Sequence, residues 1–344
     1  MYPMKEFELD VHSGRCRIVV GESINKLGRY AAADKVLLVT DRRVAKLHGE
    51  KFSEYESVVL GEGERSKTLS SIRKVYEKAL DMELDRNSYI IGVGGGIVCD
   101  MAGFSASTYL RGVRCGLVPT TILSQVDAAI GGKNGVNLKS YKNMVGTIKQ
   151  PEFCMCDIDL LKTLSADDIS CGMAEVIKDA AIADADFFSY LEGSMEKAIN
   201  LDKDALYRIV CSCIGIKTGM VSRDEQECAE RMLLNFGHTF GHAIEKTTGL
   251  PHGASISIGM MIEAGLSVRK GLLSRESYDR IEMLLMRANL PTTIGIDDAE
   301  ALSDAIMKDK KRAGGEIHTV LLDGIGKARI ERIDIDEIIG MASG

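Results

Sequence analysis

Three of the six histidines fall within fifteen positions of LLNFGHTFGHAIEKTTGLPHG, at His238, His242 and His252. His238 and His242 are four apart, so on a helix their imidazoles stand one above the other on a single face. His252 follows a Thr-Thr-Gly-Leu-Pro break, where a helix ends and the chain can turn back. Two stacked imidazoles and a third returning from a loop are how a chain presents nitrogen ligands to a metal such as zinc. The metal set could then be His238, His252 and one carboxylate, which leaves an open position as catalytic zinc sites do, and two carboxylates are candidates. Glu175, in GMAEVIK, lies three before Lys178 in a partly apolar helical pattern, where a buried carboxylate needs a cation or a metal beside it. Glu245 lies seven beyond His238 on the same helical face, and spacing does not separate the two.

A second kind of chemistry is written into GVGGGIVCD, residues 92 to 100, which follows a strand pattern and precedes a helix pattern. Glycines there let the backbone approach a pyrophosphate while the helix N-terminus supplies unpaired N–H groups. The stretch departs from G-x-G-x-x-G, because Cys99 stands where the third Gly belongs, and it is not a P-loop, because no Gly-Lys-Ser/Thr follows. In GEGERSK, Glu64 and Lys67 can contact a ribose or simply cap the helix that follows. Arg111 in YLRG, Lys133 in VDAAIGGKNGVN and Lys142 in YKNMVG set three cations beside glycine turns, enough to hold an anion; Asp127, Asn137 and Asn143 lie among them. Arg231 and Asn235 precede the first histidine, and Lys217 and the KDKK run at 308 to 311 add further cations.

The elements that must position these groups divide the chain. Strand patterns at KVLLVT, VVL, SYIIGVGGG and CGLVP alternate with helical ones, which implies a mostly parallel sheet covered by helices. From about residue 160 helical period dominates, at DDISCGMAEVIKDAAI, 203 to 222, 228 to 247, 254 to 270 and 275 to 289, before a closing hairpin in IHTVLL and KARIERI. The fold class expected is α/β, with a sheet domain over 1–158 and a mainly α-helical domain over 159–344. A length of 344 residues suits two such cores. The 43 basic and 50 acidic residues leave a charge of −7, without the basic density of a nucleic-acid or membrane-surface protein. The N-terminus lacks an apolar leader and no apolar stretch reads as long enough to span a bilayer, so a cytoplasmic location is expected. Nine cysteines, an odd number without zinc-knuckle spacing, read as reduced and mostly buried thiols.

In order along the chain, GEGERSK, GGGIVCD, GFSASTYLRG, PTTILSQVDAAIGGKNGVN, KNMVGTIKQP, LKTLSADDISCGMAEVIK, LLNFGHTFGHAIE, LPHG and DKK resemble the 3-dehydroquinate synthase family of sugar-phosphate cyclases. The resemblance implies a Rossmann-like N-terminal domain, a helical C-terminal domain, a cleft holding NAD and a divalent metal, zinc or cobalt, and a homodimer. It implies Glu175, His238 and His252 as metal ligands, and His242 as a substrate-side, proton-transfer residue. NAD contacts implied are Asp41, Glu64, Lys67, Gly95, Gly96 and Ile97, with Asp100, Thr120, Thr121, Lys133, Lys142 and Thr163. Substrate contacts implied are Arg111, Asp127, Lys133, Asn143 and Lys178, with Lys217, Arg231, Asn235 and Lys310. The family substrate, 3-deoxy-D-arabino-heptulosonate 7-phosphate, is a polyanion, and a net-acidic chain needs such a cation cluster to concentrate its field. The family reaction oxidises a ring hydroxyl, eliminates phosphate, returns the hydride and closes the ring by an aldol step.

Four positions depart from the family pattern: Ala128 and Ala129 after Asp127, Ala254 after His252-Gly253, and Arg43 in TDRRV. None removes an implied ligand. Two rival readings share the scaffold: a cyclase that makes a different ring, and a metal-dependent dehydrogenase of the glycerol dehydrogenase type, which would accumulate NADH.

Overall fold

The protein is described by a computed structural model over residues 4–139, 141–295 and 316–334. Contacts gather the chain into two compact units, Met1–Ser165 with Lys203–Glu225, and Ala166–Asp202 with Gln226–Gly344. They are not the contiguous halves 1–158 and 159–344 that the change of periodicity suggests.

The first unit is built on a seven-stranded sheet. Its strands are β1 (Lys5–Val11), β2 (Gly14–Val20), β3 (Val36–Asp41), β4 (Glu56–Leu60), β5 (Tyr89–Gly94), β6 (Arg114–Pro119) and β9 (Phe153–Cys156). They lie in the order β1-β2-β9-β6-β5-β3-β4, antiparallel only at the β1/β2 hairpin. VLLVT, YIIGVG and FCMC are buried along their whole length, as strands covered on both faces must be. From β3 the chain steps to β4 on one side and then to β5 on the other. The carboxyl ends of β3 and β5 therefore flank the point where strand order reverses, which is where open α/β sheets form their ligand crevice.

Helices α1 (Arg42–His48), α2 (Leu69–Asp81) and α3 (Gly96–Thr108) follow β3, β4 and β5. Asp41 caps α1, its carboxylate accepting from Val44 N–H at 2.8 Å. After Thr120-Thr121 the chain makes one wide turn, Ser124–Ala128, in which Ala129 N–H donates five residues back to Ser124 C=O at 3.1 Å. The GGK-x-G-x-N segment, whose glycines suggest turns, opens a separate hairpin, β7 (Lys133–Leu138) with β8 (Tyr141–Ile148). Its turn chemistry is confined to Gly131 and Gly132, at φ 97° and 71°.

Helix α6 (Lys203–Arg223) belongs to this unit because Leu206, Ile209, Val210, Cys213 and Ile214 are buried and the helix packs on β1 and on the Ser124–Ala128 turn. By length and composition α6 could cross a membrane, contrary to the expectation that no stretch would; here it is a core helix.

The second unit holds α4 (Ala166–Ala183), α5 (Ala185–Ile199), α7 (His238–Thr248), α8 (His252–Arg269), α9 (Arg275–Arg287) and the hairpin β10 (Glu316–Leu322) and β11 (Ala328–Asp334). The helix expected over 228–247 starts only at His238. Gly237, left-handed at φ 80°, breaks it, and a short 3-10 turn over Glu230–Asn235 precedes. Helices α7 and α8 meet backbone to backbone: a Cβ on Gly259 would lie 2.0 Å from Gly237 C=O.

Gly103 on α3 tests how tightly the first unit is closed. A Cβ there would sit 1.8 Å from Asn134 Oδ1, whose amide is held by Gly132 C=O and Lys149 C=O at 2.8 and 3.0 Å. Gly103→Ala is expected to destabilise the protein by about 1–3 kcal/mol in chemical denaturation. An unchanged midpoint would show that Asn134 has another place to go.

Candidate active site

Glu175 stands on α4 with 1% of its surface exposed, and the nitrogens of two helix-opening histidines meet it. His238, first residue of α7, brings Nε2 to 3.4 Å from Glu175 Oε1. His252, first residue of α8, brings Nε2 to 3.3 Å from the same oxygen. One donor atom from each of the three lies within 4.8 Å of the other two. Lys178, one turn along α4, places Nζ 2.6 Å from Glu175 Oε2 and 3.3 Å from Asp179 Oδ1. Burial alone would raise the Glu175 carboxyl, but Lys178 and the imidazoles override it and hold it well below its ordinary value. Burial likewise opposes charge on His252, yet Glu175 and Glu245 raise that imidazole to about 9. Glu175 Oε2 has no hydrogen bond despite the near ammonium, so the carboxylate keeps acceptor capacity. A buried carboxylate and two imidazoles are a fitting donor set for zinc or cobalt, with room for a further ligand.

Spacing alone left Glu175 and Glu245 tied. In the structure Glu175 faces Nε2 of both histidines, whereas Glu245 Oε2 lies 3.6 Å from Nδ1 of His252, on the other side of that ring. His242 stands with its ring centroid 5.3 Å from that of His238 and 6.2 Å from that of His252. A cavity of about 280 Å³ opens beside them. Asn235, His238, His242 and Thr319 line it with the apolar Met232, Val320 and Ile330. Asn235 also donates to Glu227 Oε1 at 2.7 Å, and Arg231 is 3% exposed. Lys310 lies outside the described residues.

The first unit collects the residues expected to contact a dinucleotide at the carboxyl ends of its strands. Asp41 ends β3; Gly95 caps α3 with Gly96 and Ile97 in its first turn; Thr120 and Thr121 follow β6. A Cβ on Gly96 would lie 2.9 Å from that of Ala128, so the departure at Ala128 packs on the glycine turn. Lys67, 4% exposed, donates to both Asp100 and Asn143, joining a residue of the expected NAD set to one of the substrate set. Burial pushes the Asp100 carboxyl up to about 6 against the pull of Lys67. Glu64 accepts from Asn137 Nδ2 at 2.7 Å, and Asn137 Oδ1 accepts from Asn143 N–H at 2.9 Å, a linking role that the sequence did not signal. Lys217, on α6, donates to Asp127 C=O at 2.6 Å and to its carboxylate. Arg111, at φ 64°, Lys133 and Lys142 are exposed. Thr163 stands apart after β9, its hydroxyl 2.9 Å from His48 Nε2.

The chain matches the family models described as 3-dehydroquinate synthase N-terminal, over residues 57–171, and 3-dehydroquinate synthase C-terminal, over residues 172–312. A curated 3-dehydroquinate synthase of Alkaliphilus metalliredigens is 38% identical over 337 residues, 95% of each chain. A solved 2-deoxy-scyllo-inosose synthase, complexed with carbaglucose-6-phosphate, NAD+ and Co2+, is 25% identical with a TM-score of 0.86, covering 98% of this chain and 99% of that one. A 2-epi-5-epi-valiolone synthase from Streptomyces hygroscopicus, with NAD+ and Zn2+ bound, is 26% identical with a TM-score of 0.85, covering 95% of both.

Behind the histidines lies a carboxyl that nothing in the sequence marked. Glu263 on α8 is wholly buried; its Oε2 accepts from Gly237 N–H at 2.5 Å and its Oε1 from the Thr319 hydroxyl at 3.0 Å. Burial raises it to about 8, the hydrogen bonds only partly opposing. The folded chain thus keeps this proton up to about pH 8, whereas the unfolded chain releases it near ~4.3. Between those values the folded state binds more protons, so this group's contribution to stability falls as pH rises. In metal-free protein the thermal midpoint of Glu263→Gln, which cannot ionise, is expected to fall several degrees less than the parent's between about pH 6 and 9. Parallel curves for the two would contradict it.

Proposed function

The chain belongs to the 3-dehydroquinate synthase family, which makes it an enzyme of the phosphate-eliminating carbon–oxygen lyase type, and on that premise we propose how its residues divide the work. The reaction is the conversion of 3-deoxy-D-arabino-heptulosonate 7-phosphate to 3-dehydroquinate and inorganic phosphate. The observation that carries the assignment is the convergence of Glu175, His238 and His252. These three hold a divalent metal, and the turn from Gly94 to Asp100 holds NAD. The cofactors named with the two similar cyclases support the same pair here. When bound, NAD supplies a hydride acceptor that becomes the donor, and zinc or cobalt supplies a Lewis acid for substrate oxygens.

The chain's own residues orient the substrate and manage its charge and protons. In the second unit, Lys178, which lies against Glu175, Asn235, which lines the cavity beside His238, and the buried Arg231 supply cation and amide donors suited to hydroxyl and carboxylate groups. His242, close to both ligand rings without being one of them, is placed to move a proton. Lys310 belongs to the same set by family resemblance. In the first unit, Arg111, Lys133, Asn143 and Lys217 supply donors for the phosphate end, and Asp127 holds the Lys217 ammonium in register. Asp41, Glu64, Lys67, Thr120, Thr121, Lys133, Lys142 and Thr163 complete the NAD contacts. Family resemblance supports a homodimer, and cysteines that are all free, with only Cys228 exposed, suit a cytoplasmic location.

The test is phosphate release with NAD far below substrate. Many phosphates per NAD are expected, with 3-dehydroquinate as product; chelation abolishes turnover and zinc or cobalt restores it. NADH accumulating in step with substrate would mean a dehydrogenase on this scaffold, and a different carbocycle would mean another cyclase. Glu175→Ala and His238→Ala should each lose bound metal and at least roughly a thousandfold in kcat, the several kcal/mol that such an ion contributes. Full metal occupancy in both would remove the ligand assignment. Lys133→Ala should raise KM with metal content unchanged, and unaltered kinetics would remove its substrate role.

A further inference from the structure

Both imidazoles of the triad turn Nε2 toward Glu175 and Nδ1 away from it, and an oxygen lies beyond each Nδ1. For His238 it is the carbonyl of Phe236, at 3.3 Å. For His252 it is the carboxylate of Glu245, with Oε2 3.6 Å from Nδ1. We infer that Glu245 is a positioning residue of the metal centre: its carboxylate accepts the Nδ1–H of His252 and fixes the tautomer and ring plane that present Nε2 as the ligand atom. The inference rests on the metal reading above and deepens it.

A neutral imidazole carries one N–H, so a ring that ligates through Nε2 must hold its proton on Nδ1. Metal-bound histidines ordinarily donate that proton to a carboxylate or a backbone carbonyl, which orients the ring and raises its basicity. Here the two ligand histidines use one of each. The 3.6 Å separation is long for a hydrogen bond but within the range of charge attraction, and the Glu245 side chain is 20% exposed. Helix α7 thereby does two jobs. It contributes His238 at its first residue and, two turns on along the same face, the group that holds the other ligand. Glu245 is not itself the third ligand, because both Nε2 atoms converge on Glu175 and it is the far side of the His252 ring that meets Glu245.

The experiment measures zinc dissociation constants of the full chain by competition with a chromophoric chelator, for the parent, Glu245→Ala, Glu245→Gln and His252→Ala. The His252 tautomer is read by nitrogen NMR of the zinc-bound protein. Glu245→Ala is expected to weaken zinc about ten- to a hundredfold, with the metal-free thermal midpoint near the parent's. Glu245→Gln should recover most of that loss, since its amide oxygen still accepts from Nδ1–H. Zinc binding by Glu245→Ala within about threefold of the parent, beside a large loss in His252→Ala, overturns the positioning role and leaves the metal reading standing. No loss in either overturns both. If Glu245→Ala does not fold, Glu245→Gln decides by the tautomer: Nδ1–H retained in His252 supports the inference, and a proton on Nε2 with zinc still bound overturns it.

Discussion

A carboxylate with 1% of its surface in contact with solvent is the constraint around which the second unit is arranged. Burying an ionised carboxyl costs several kcal/mol unless countercharge and hydrogen-bond donors surround it. Lys178 supplies one countercharge from the same helix, and the imidazoles of His238 and His252 supply the remaining neighbours from α7 and α8. Both histidines open their helices, where the unpaired N–H groups and the positive end of the dipole disfavour an imidazolium. On His252 the two carboxylates outweigh that and raise the ring to about 9 against burial. A divalent ion held by these three residues, as proposed, would compete with protons for the same nitrogens, and its affinity would weaken as the solution becomes more acidic.

Bringing two helix N-termini onto one side chain requires backbones to approach without intervening Cβ atoms. Glycines mark each contact. Gly253 of α8 packs against α4, where a Cβ would fall 2.4 Å from Cys171 Cα; Gly241 lies against Ile256, and Gly259 lies under the Gly237 carbonyl. Glu263 then takes up the Gly237 N–H that the left-handed turn leaves without a helical partner. The first unit uses the same device for a different end. A Cβ on Gly94 would meet Val98 at 2.6 Å, and one on Gly92 would meet Ala102 at 2.8 Å, so α3 presses its N-terminus onto the end of β5. In both units glycine density records how closely one backbone approaches another, and the exposed backbone N–H groups follow from it.

Much of this was legible in the sequence, for identifiable reasons. His238 and His242 share a helical face, and the Gly-Leu-Pro break does separate two helices, because period and breaker residues are local signals. The parallel strands could be read because burial on both faces makes them continuous apolar runs. What could not be read depends on distant partners. The placement of Glu175 over Glu245 turns on which ring nitrogen each carboxylate faces, and no spacing along one helix encodes that. Glu263 sits in an otherwise apolar helix whose partners, Gly237 and Thr319, are 26 and 56 residues away. Helix α6 has the period of its helical neighbours in sequence, yet its apolar face belongs to the sheet unit. The hairpin β7/β8 was hidden because Lys133 to Leu138 carries polar side chains and a glycine in a strand.

The cations expected to meet a polyanion are not simple positive charges awaiting one. Lys67 is bonded to Asp100, Lys178 lies against Glu175 and Asp179, and Lys217 is bonded to Asp127. All three are nearly buried. Each buried ammonium is thus matched by a carboxylate within its own unit, as low dielectric demands of a chain with net charge −7. The pairing has a use beyond solvation. A lone buried ammonium would lose its proton or bend toward solvent, whereas a paired one keeps its charge and a fixed direction for its remaining N–H bonds. Three donors per ammonium leave capacity for a ligand oxygen after a carboxylate is satisfied. If these residues meet the substrate as proposed, exposed Arg111, Lys133 and Lys142 would supply its long-range attraction, while the buried pairs would act at contact, where donor direction matters more than net charge.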